Sequence, residues 1–245
     1  MTALPGTTGR RRIYLMRHGH VDYFSKTVTQ DGRPDLVTLT ETGVAQAEAA
    51  GDALAHVRFD LALCSGYPRT RQTAEIVLSR NAQKDHLTLE EDARLIELKG
   101  GGQGLKLIKN RSELSARMAF EFDRASEPDA SMFGGELFSA ALQRCSESVR
   151  ALLARPHWHT ALVVAHEGVN RLVLSWCTGN GLKGVQAFEQ DLACINIIDF
   201  DLVPKEGADG TEIVRSMIKT VNLTPYNWVK HGMNLTSLEA IFAST

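Results

Sequence analysis

The sequence has 245 residues, a formal net charge of -2, 43% hydrophobic residues and 23% charged residues. These values are typical of a globular protein with one domain, or one domain with an insertion, and they exclude a broad basic field for nucleic acid. No run approaches the ~20 apolar residues that span a bilayer, and the N-terminus lacks the apolar core of a signal peptide. We therefore expect a cytoplasmic protein without membrane or nucleic-acid partners.

Short apolar runs alternate with amphipathic stretches along the chain. The runs typical of buried strands are residues 13–16, 61–64, 161–165, 195–198 and 213–221. Helical periodicity covers residues 40–54, 68–77, 135–153 and 168–176, with Thr40 as N-cap of the first helix and Pro68 in the first turn of the second. The first helix is expected to turn one face inward, consisting of Val44, Ala47, Gly51 and Leu54. Strands alternating with helices predict an α/β fold with a largely parallel sheet.

Composition divides the chain into three parts. Residues 1–12 are rich in Gly, Thr and Pro and then basic, which is typical of a flexible tail. Residues 13–222 form the predicted catalytic domain, and residues 223–245 are an extension with no assigned role. Residues 100–128 break the alternation, and they are either a solvated helix on a loop or a cap over the site.

The four cysteines form no Cys-x-x-Cys pair, so they indicate reduced thiols rather than a zinc site.

Polar residues follow three of the predicted strands. They are Arg17-His18, the segment Ser65–Arg69, and His166-Glu167. Because the carboxyl ends of parallel strands meet at one edge of a sheet, we expect these residues to lie together in one site. Arg17-His18-Gly19 is the most informative of them. A neutral imidazole can attack phosphorus, a guanidinium offers forked donors to phosphate oxygens, and glycine lets the backbone approach closely.

Three further motifs occur in order after this tripeptide: Leu39–Ala47, Ser65–Ala74 and Val163–Arg171. Together the motifs resemble those of the histidine phosphatase superfamily, which includes the phosphoglycerate mutases. The resemblance implies a three-layer α/β/α sandwich with a mostly parallel central sheet. It also implies that His18 is the phosphorylated nucleophile, that Arg17 and Arg69 bind the phosphate, and that His166 is the second histidine of the pocket.

The resemblance also suggests a proton donor. The segment Arg94–Lys99, followed by glycines, resembles the family segment that carries the acid/base, so Glu97 is the candidate. Glu136 either contacts the pocket or is a charge at a helix start. Neither the residues nor the resemblance calls for a metal or another cofactor.

Three positions depart from the family pattern. The stretch His20–Ser25 is aromatic where mutases have a polar residue, Thr70 stands where the family often has Ala, and Glu167 stands where it often has Gly. These departures favour a phosphatase over a phosphoglycerate mutase. We expect a metal-independent enzyme that hydrolyses a small phosphomonoester and releases inorganic phosphate.

Two other classes of protein and one assembly are left open. One is a silent phosphate-binding regulatory protein on the same fold. The other is a metal hydrolase that uses the His18-x-His20-x-Asp22 spacing, although Arg17 would sit awkwardly beside a dication. A homodimer is also left open.

Overall fold

A mixed β-sheet forms the middle layer of the fold. The computed structural model describes residues 9–23, 33–82, 87–101, 113, 117, 120–207, 209–232 and 236. The strands are β1 (Gly9–Arg17), β2 (Leu61–Cys64), β3 (Leu89–Glu91), β4 (Thr160–Ala165), β5 (Ile195–Pro204) and β6 (Thr211–Leu223). The α-helices with described bounds are α1 (Glu41–Leu54), α2 (Pro68–Ser79), α3 (Phe138–Leu153) and α4 (Glu167–Cys177). Short 3-10 helices cover Pro34–Leu36, Ala93–Leu95, Glu121–Arg124, Met132–Gly134 and Gly181–Ala187.

The strand order places the ends of three strands side by side. The sheet runs β3-β2-β4-β1-β5-β6, with the first four strands parallel and β5 and β6 antiparallel to their neighbours. In this register Arg17 lies opposite Ala165, and Cys64 lies opposite Val164. The residues that follow β1, β2 and β4 therefore begin at the same edge of the sheet, as expected for a mostly parallel α/β sandwich.

Two apolar layers cover the faces of the sheet. Ile13 and Leu15 of β1 pack in the cluster that contains the buried residues of α3 and α4. Tyr14 and Met16 point to the opposite face and pack with α1 and α2. This alternation follows from the two-residue period of a strand, and it buries both faces of the sheet.

The helices largely follow the prediction, with one difference in the inner face of α1 and one in the start of α3. Thr40 caps α1, because its hydroxyl accepts a hydrogen bond from the Gly43 amide at 3.1 Å. Val44, however, is 37% exposed, and Ala50 is buried on the inner face. Helix α3 begins at Phe138 rather than near Gly135, because Leu137 is extended and forms an isolated bridge with Ser131.

Part of the expected tail belongs to the sheet. Strand β1 begins at Gly9, so residues 9–12 pair with β5, while residues 1–8 lie outside the described residues. Two ion pairs join the strands, Arg10–Asp201 at 2.8 Å and Arg12–Asp199 at 2.6 Å. The basic run resembles a flexible tail in the sequence because its acidic partners lie 191 and 187 residues away.

Two predicted segments fall largely outside the described residues. Most of 102–119 and of 233–245 is not described, so the cap over the site stays a prediction. Within the described parts, Phe122 is buried in the core, and the Tyr226 hydroxyl donates to the Leu192 carbonyl at 2.7 Å. No helix among the described residues is long and apolar enough to cross a membrane.

Candidate active site

Two histidines stand at the ends of neighbouring parallel strands. His18 follows β1, His166 follows β4, and the strand register brings their rings within 5.2 Å, centroid to centroid. Both side chains are buried, at 2% and 0% exposure. The structure therefore brings together two residues that are almost 150 positions apart in sequence.

The His18 ring is held in one orientation and one protonation state. Its Nδ1 lies 2.8 Å from the Gly19 carbonyl oxygen, which can only accept, so Nδ1 carries the proton and Nε2 carries a lone pair. Burial lowers the pKa of His18 well below its ordinary value, and the charges of Arg69 and Arg17 lower it further. His18 is therefore a neutral imidazole near pH 7, as a nucleophile must be.

A close approach between a loop and α1 holds the backbone around His18. A Cβ on Gly19 would collide with the Gly43 carbonyl, and a Cβ on Gly43 would collide with the His20 backbone. The His20 amide donates to the Gln46 side chain at 2.9 Å, and the His20 ring contacts the Thr40 hydroxyl at 2.8 Å. The Leu39–Ala47 motif therefore supports the loop that carries His18.

Arg17 is buried at 3% exposure and is oriented by two acceptors. Its Nη1 donates to the Gln190 carbonyl at 2.5 Å and lies 2.9 Å from Glu167 Oε2. Burial alone disfavours the guanidinium charge, but Glu167 compensates, and the pKa of Arg17 is raised overall. Arg17 therefore stays charged beside His18.

Glu167 belongs to a chain of alternating charges that the sequence analysis did not find, and all of its members except Glu189 are buried. Its Oε1 accepts from Arg171 Nε at 3.0 Å and from Arg171 Nη2 at 2.8 Å, and Arg171 also pairs with Glu189 at 3.0 Å. The sequence contains two signals for it, the departure from the family pattern at position 167 and the i,i+4 spacing of Glu167 and Arg171. The chain compensates the buried charge of Arg17 and fixes one edge of its guanidinium.

Arg69 lies in the first turn of α2, with 3% exposure. Its guanidinium lies 4.8 Å from the Tyr67 ring centroid and 5.7 Å from that of Tyr23. Its Nη1 donates to the carbonyls of Pro34 and Asp35, each at 3.3 Å, and its buried Nε has no hydrogen-bond partner among the described residues. A buried donor without a partner indicates that the site is built for an anion.

His166 presents a second unsatisfied atom. Its Nε2 lies 2.8 Å from the Ser65 hydroxyl, whereas its buried Nδ1 has no partner within the described part of the chain. Burial lowers the pKa of His166 well below its ordinary value, and Arg69, His18 and Arg17 lower it further. These causes favour the neutral form of the ring.

Glu97 lies in the loop after the 3-10 helix Ala93–Leu95 and is partly buried. Its Oε1 accepts from the Leu98 amide at 2.9 Å, and its Oε2 accepts from the Gly168 amide at 3.4 Å, at the start of α4. Burial raises the pKa of Glu97; the Leu98 bond partly offsets this, and the charge of Glu167 raises it again. A raised pKa suits a carboxyl group that must donate a proton.

Arg144 and Glu136 fix the segment that carries Glu97. Arg144 Nη1 donates to the Ile96 carbonyl at 2.8 Å, and Arg144 pairs with Glu136 at 2.6 Å. Glu136 also accepts from the Lys99 amide at 3.2 Å. Of the two roles that the sequence left open for Glu136, the structure shows neither, because both of its oxygens support this segment. The supporting role of Arg144 has no signal in the sequence.

The residues of the metal-hydrolase alternative do not form a ligand set. The described residues contain no cluster of three His, Cys, Asp or Glu side chains that could hold a metal ion. His18 and His20 each direct Nδ1 to a separate partner, the Gly19 carbonyl and the Thr40 hydroxyl, and Asp22 is exposed.

Comparisons with known proteins show which family the sequence matches. The sequence profile of the histidine phosphatase superfamily (branch 1) matches residues 13–204. The chain belongs to this superfamily. It is 27% identical to the adenosylcobalamin/alpha-ribazole phosphatase of Escherichia coli over 194 residues, which cover 78% of this chain and 90% of that protein. It is 29% identical to 2-carboxy-D-arabinitol-1-phosphatase of Triticum aestivum over 205 residues, which cover 82% of this chain and 39% of that protein.

Solved structures of the superfamily share the fold. The mycobacterial glucosyl-3-phosphoglycerate phosphatase superposes with a TM-score of 0.66 at 23% identity, covering 87% of this chain and 99% of that one. As a histidine phosphatase with phosphatase relatives, the protein is a phosphoric monoester hydrolase.

Proposed function

We propose that the protein hydrolyses a small phosphomonoester through a phosphohistidine formed on Nε2 of His18. The hydrogen bond from His18 Nδ1 to the Gly19 carbonyl carries this proposal. It leaves the lone pair on Nε2 in a site that also contains Arg17, Arg69 and His166. Two buried atoms of this site, Arg69 Nε and His166 Nδ1, lack partners among the described residues and suit the oxygens of a phosphate group.

In the first step, His18 Nε2 attacks phosphorus and the bond from phosphorus to the ester oxygen breaks. The leaving oxygen takes a proton from Glu97, so the departing group is a neutral alcohol. The proton of His18 stays on Nδ1, which donates to the Gly19 carbonyl throughout. Arg17, Arg69 and His166 stabilise the charge on the equatorial oxygens, as metal ions do in other phosphoryl-transfer enzymes.

In the second step, water hydrolyses the phosphohistidine. The Glu97 carboxylate takes a proton from water, the hydroxide attacks phosphorus, and the bond from phosphorus to Nε2 breaks. Inorganic phosphate leaves, His18 is again neutral, and Glu97 is again protonated. No cofactor enters this cycle, because the cations and the acid are all side chains of this chain.

Two aromatic rings flank Arg69 in the pocket, which bears on the leaving group. They are Tyr23 and Tyr67, and burial raises the pKa of both phenols. Two phenol rings suit the apolar face of an alcohol better than the carboxylate of phosphoglycerate. This supports a phosphatase rather than a mutase.

Capture of the phosphoenzyme tests the proposal. The wild-type chain, mixed with a phosphorus-labelled aryl phosphate and quenched in alkali, is expected to retain label, since phosphohistidine is labile in acid. His18→Ala should lose the label and lower kcat by roughly 10⁴-fold or more. The control is His20→Ala, which should still form the phosphoenzyme. Label that persists on His18→Ala, or that moves to His20, would overturn the assignment.

We also propose that the protein is cytoplasmic. All four cysteines are free thiols, and three of them are buried, which supports a reducing compartment. A homodimer stays a proposal as well. Strand β6 is the last strand of the sheet and exposes Val214 and Val221, and light scattering of the purified chain would decide the oligomeric state.

A further inference from the structure

A chain of hydroxyl groups connects His166 to the start of α2. His166 Nε2 lies 2.8 Å from the Ser65 hydroxyl, which lies 2.9 Å from the Thr70 hydroxyl. The Thr70 hydroxyl in turn donates to the Tyr67 carbonyl at 2.8 Å. Ser65 and Thr70 are both buried, at 3% and 0% exposure.

The carbonyl at the end of this chain sets its direction. A carbonyl oxygen only accepts, so the single proton of Thr70 is committed to Tyr67. Thr70 then accepts from Ser65, and Ser65, having given its proton to Thr70, accepts from His166 Nε2. His166 therefore carries its proton on Nε2, and the unpartnered Nδ1 holds a lone pair.

The opposite direction of the hydrogen bonds is less favourable. It would put the His166 proton on Nδ1, and that buried N–H group would have no acceptor among the described residues. Buried N–H groups without partners are rarer in proteins than unsatisfied acceptors. The Nδ1 lone pair also suits its surroundings. Burial is the largest cause that lowers the pKa of His166, and the charged or titratable groups that lower it further are Arg69 from α2, His18 after β1, Arg17 at the end of β1, and Arg144 from α3.

We propose that Thr70 is a positioning residue that fixes this tautomer, so that His166 takes up a proton at Nδ1 when a phosphate dianion binds and then holds it as an imidazolium. This inference rests on the proposed function for the identity of the anion. The bound dianion offsets the positive field of the two arginines, and Nδ1–H then donates to a phosphate oxygen. Among the described residues, the site also contains two carboxyl groups: Glu167 pairs with Arg17, and Glu97, bonded to the Gly168 amide at the start of α4, keeps its own role as acid.

Thr70 is one of the positions where this chain departs from the family pattern, in which Ala is frequent. An alanine would not contact Ser65, and the Ser65 proton could then turn to His166 Nε2. The tautomer, and with it the proton uptake, is therefore a property that the Thr70 hydroxyl confers on this protein.

Nitrogen NMR of the free protein tests the tautomer directly. In the chain labelled at its histidine nitrogens, His166 is expected to be the Nε2–H tautomer near neutral pH. The His166 signal is assigned as the one that is absent from the spectrum of His166→Gln. His18, whose Nδ1 bonds the Gly19 carbonyl, supplies the opposite tautomer in the same spectrum. A free His166 that carries its proton on Nδ1 would overturn the inference. Because no substrate is needed, this result is independent of whether His18 forms a phosphoenzyme.

Calorimetry tests the proton uptake. Tungstate, a dianion that does not titrate near neutral pH, is bound to the full chain in buffers of different ionisation heats. The wild type is expected to take up about one proton per tungstate. Thr70→Val should abolish most of this uptake, and Thr70→Ser should restore it. Ser79→Ala is the matched control, because Ser79 makes the same hydroxyl-to-carbonyl bond, to Ile76, at the far end of α2.

Each outcome of this titration bears on the inference. Uptake close to zero in the wild type, or unchanged uptake in Thr70→Val, would overturn it. If the tautomer and the uptake are as expected while no phosphoenzyme forms, the proposed function fails and the role of Thr70 stands.

Discussion

At the scale of single residues, hydrogen-bond partners distinguish two nearby histidines. His18 and His20 both follow β1, but only His18 is buried and bonded through Nδ1 to a carbonyl. His20 is partly exposed, and its Nδ1 contacts a hydroxyl that also caps α1. The carbonyl fixes the His18 tautomer, whereas a hydroxyl can either donate or accept. This difference favours His18 as the nucleophile.

Glu97 is expected to act as the general acid, and the effect of changing it depends on the leaving group. Glu97→Gln should slow phosphoenzyme formation from an alkyl phosphate by about 10²- to 10⁴-fold, because an alkoxide needs a proton as it leaves. Nitrophenyl phosphate should be slowed far less. Single-turnover measurements isolate this step from hydrolysis of the phosphoenzyme.

Glu90→Gln is the control for Glu97, because Glu90 pairs with Arg155 in the structure and has no role in the proposed cycle. Glu90→Gln should leave the rate of phosphoenzyme formation from both substrates unchanged. Equal slowing of the two substrates by Glu97→Gln would show that Glu97 is structural, and the search for the acid would move to Glu167.

At the scale of elements, the contact between the loop after β1 and α1 couples stability to activity. Gly19 and Gly43 approach too closely for a side chain on either residue. Gly43→Ala is therefore expected to destabilise the fold by about 1–3 kcal/mol, because the methyl group pushes the His20 backbone away. The same shift should displace His18 and lower kcat, which a substitution acting on stability alone would not do.

Urea unfolding and kinetics measured well below the unfolding midpoint check this prediction. Thr42→Ala, at the adjacent exposed position of α1, is the matched control and should change stability by no more than about 0.5 kcal/mol. If Gly43→Ala unfolds like the wild type, or unfolds earlier but retains full kcat, the coupling is absent.

At the scale of the whole molecule, the two buried histidines make stability depend on pH. Both pKa values are lowered well below the ordinary value of 6.5. Below about pH 6.5 the unfolded chain therefore binds more protons than the folded chain, and the free energy of unfolding falls as pH falls. The slope is at most about 1.4 kcal/mol per pH unit for each histidine. Glu97, whose pKa is raised, acts in the opposite direction.

Denaturant unfolding between about pH 5 and 7 measures this dependence. His166→Gln should flatten the curve below pH 6.5, because one of the two protonation differences is removed. His56→Gln, at an exposed histidine, should follow the wild type. A His166→Gln curve parallel to that of the wild type would mean that His166 titrates alike in the folded and unfolded chains.

The helices, most strands and the motif residues could be read from the sequence because their signals are local. Apolar runs predicted five of the six strands of the described sheet, whereas β3 was missed because its three residues, Leu89–Glu91, form no apolar run. Thr40 and Pro68 marked two helix starts, and Arg17-His18 marked the end of the first strand. The positions of polar residues after three strands also predicted where the site lies, since parallel strands end at the same edge.

The supporting contacts were decided only by the tertiary structure. Arg144 reaches the backbone before Glu97, Glu167 compensates Arg17, and residues 9–12 form a strand rather than a tail. These contacts join residues that are distant in sequence, and no local pattern indicates which charged side chains form a pair in the fold. Composition and periodicity report the propensity of each segment, whereas a buried charge is stable only when the folded chain brings its partner to it.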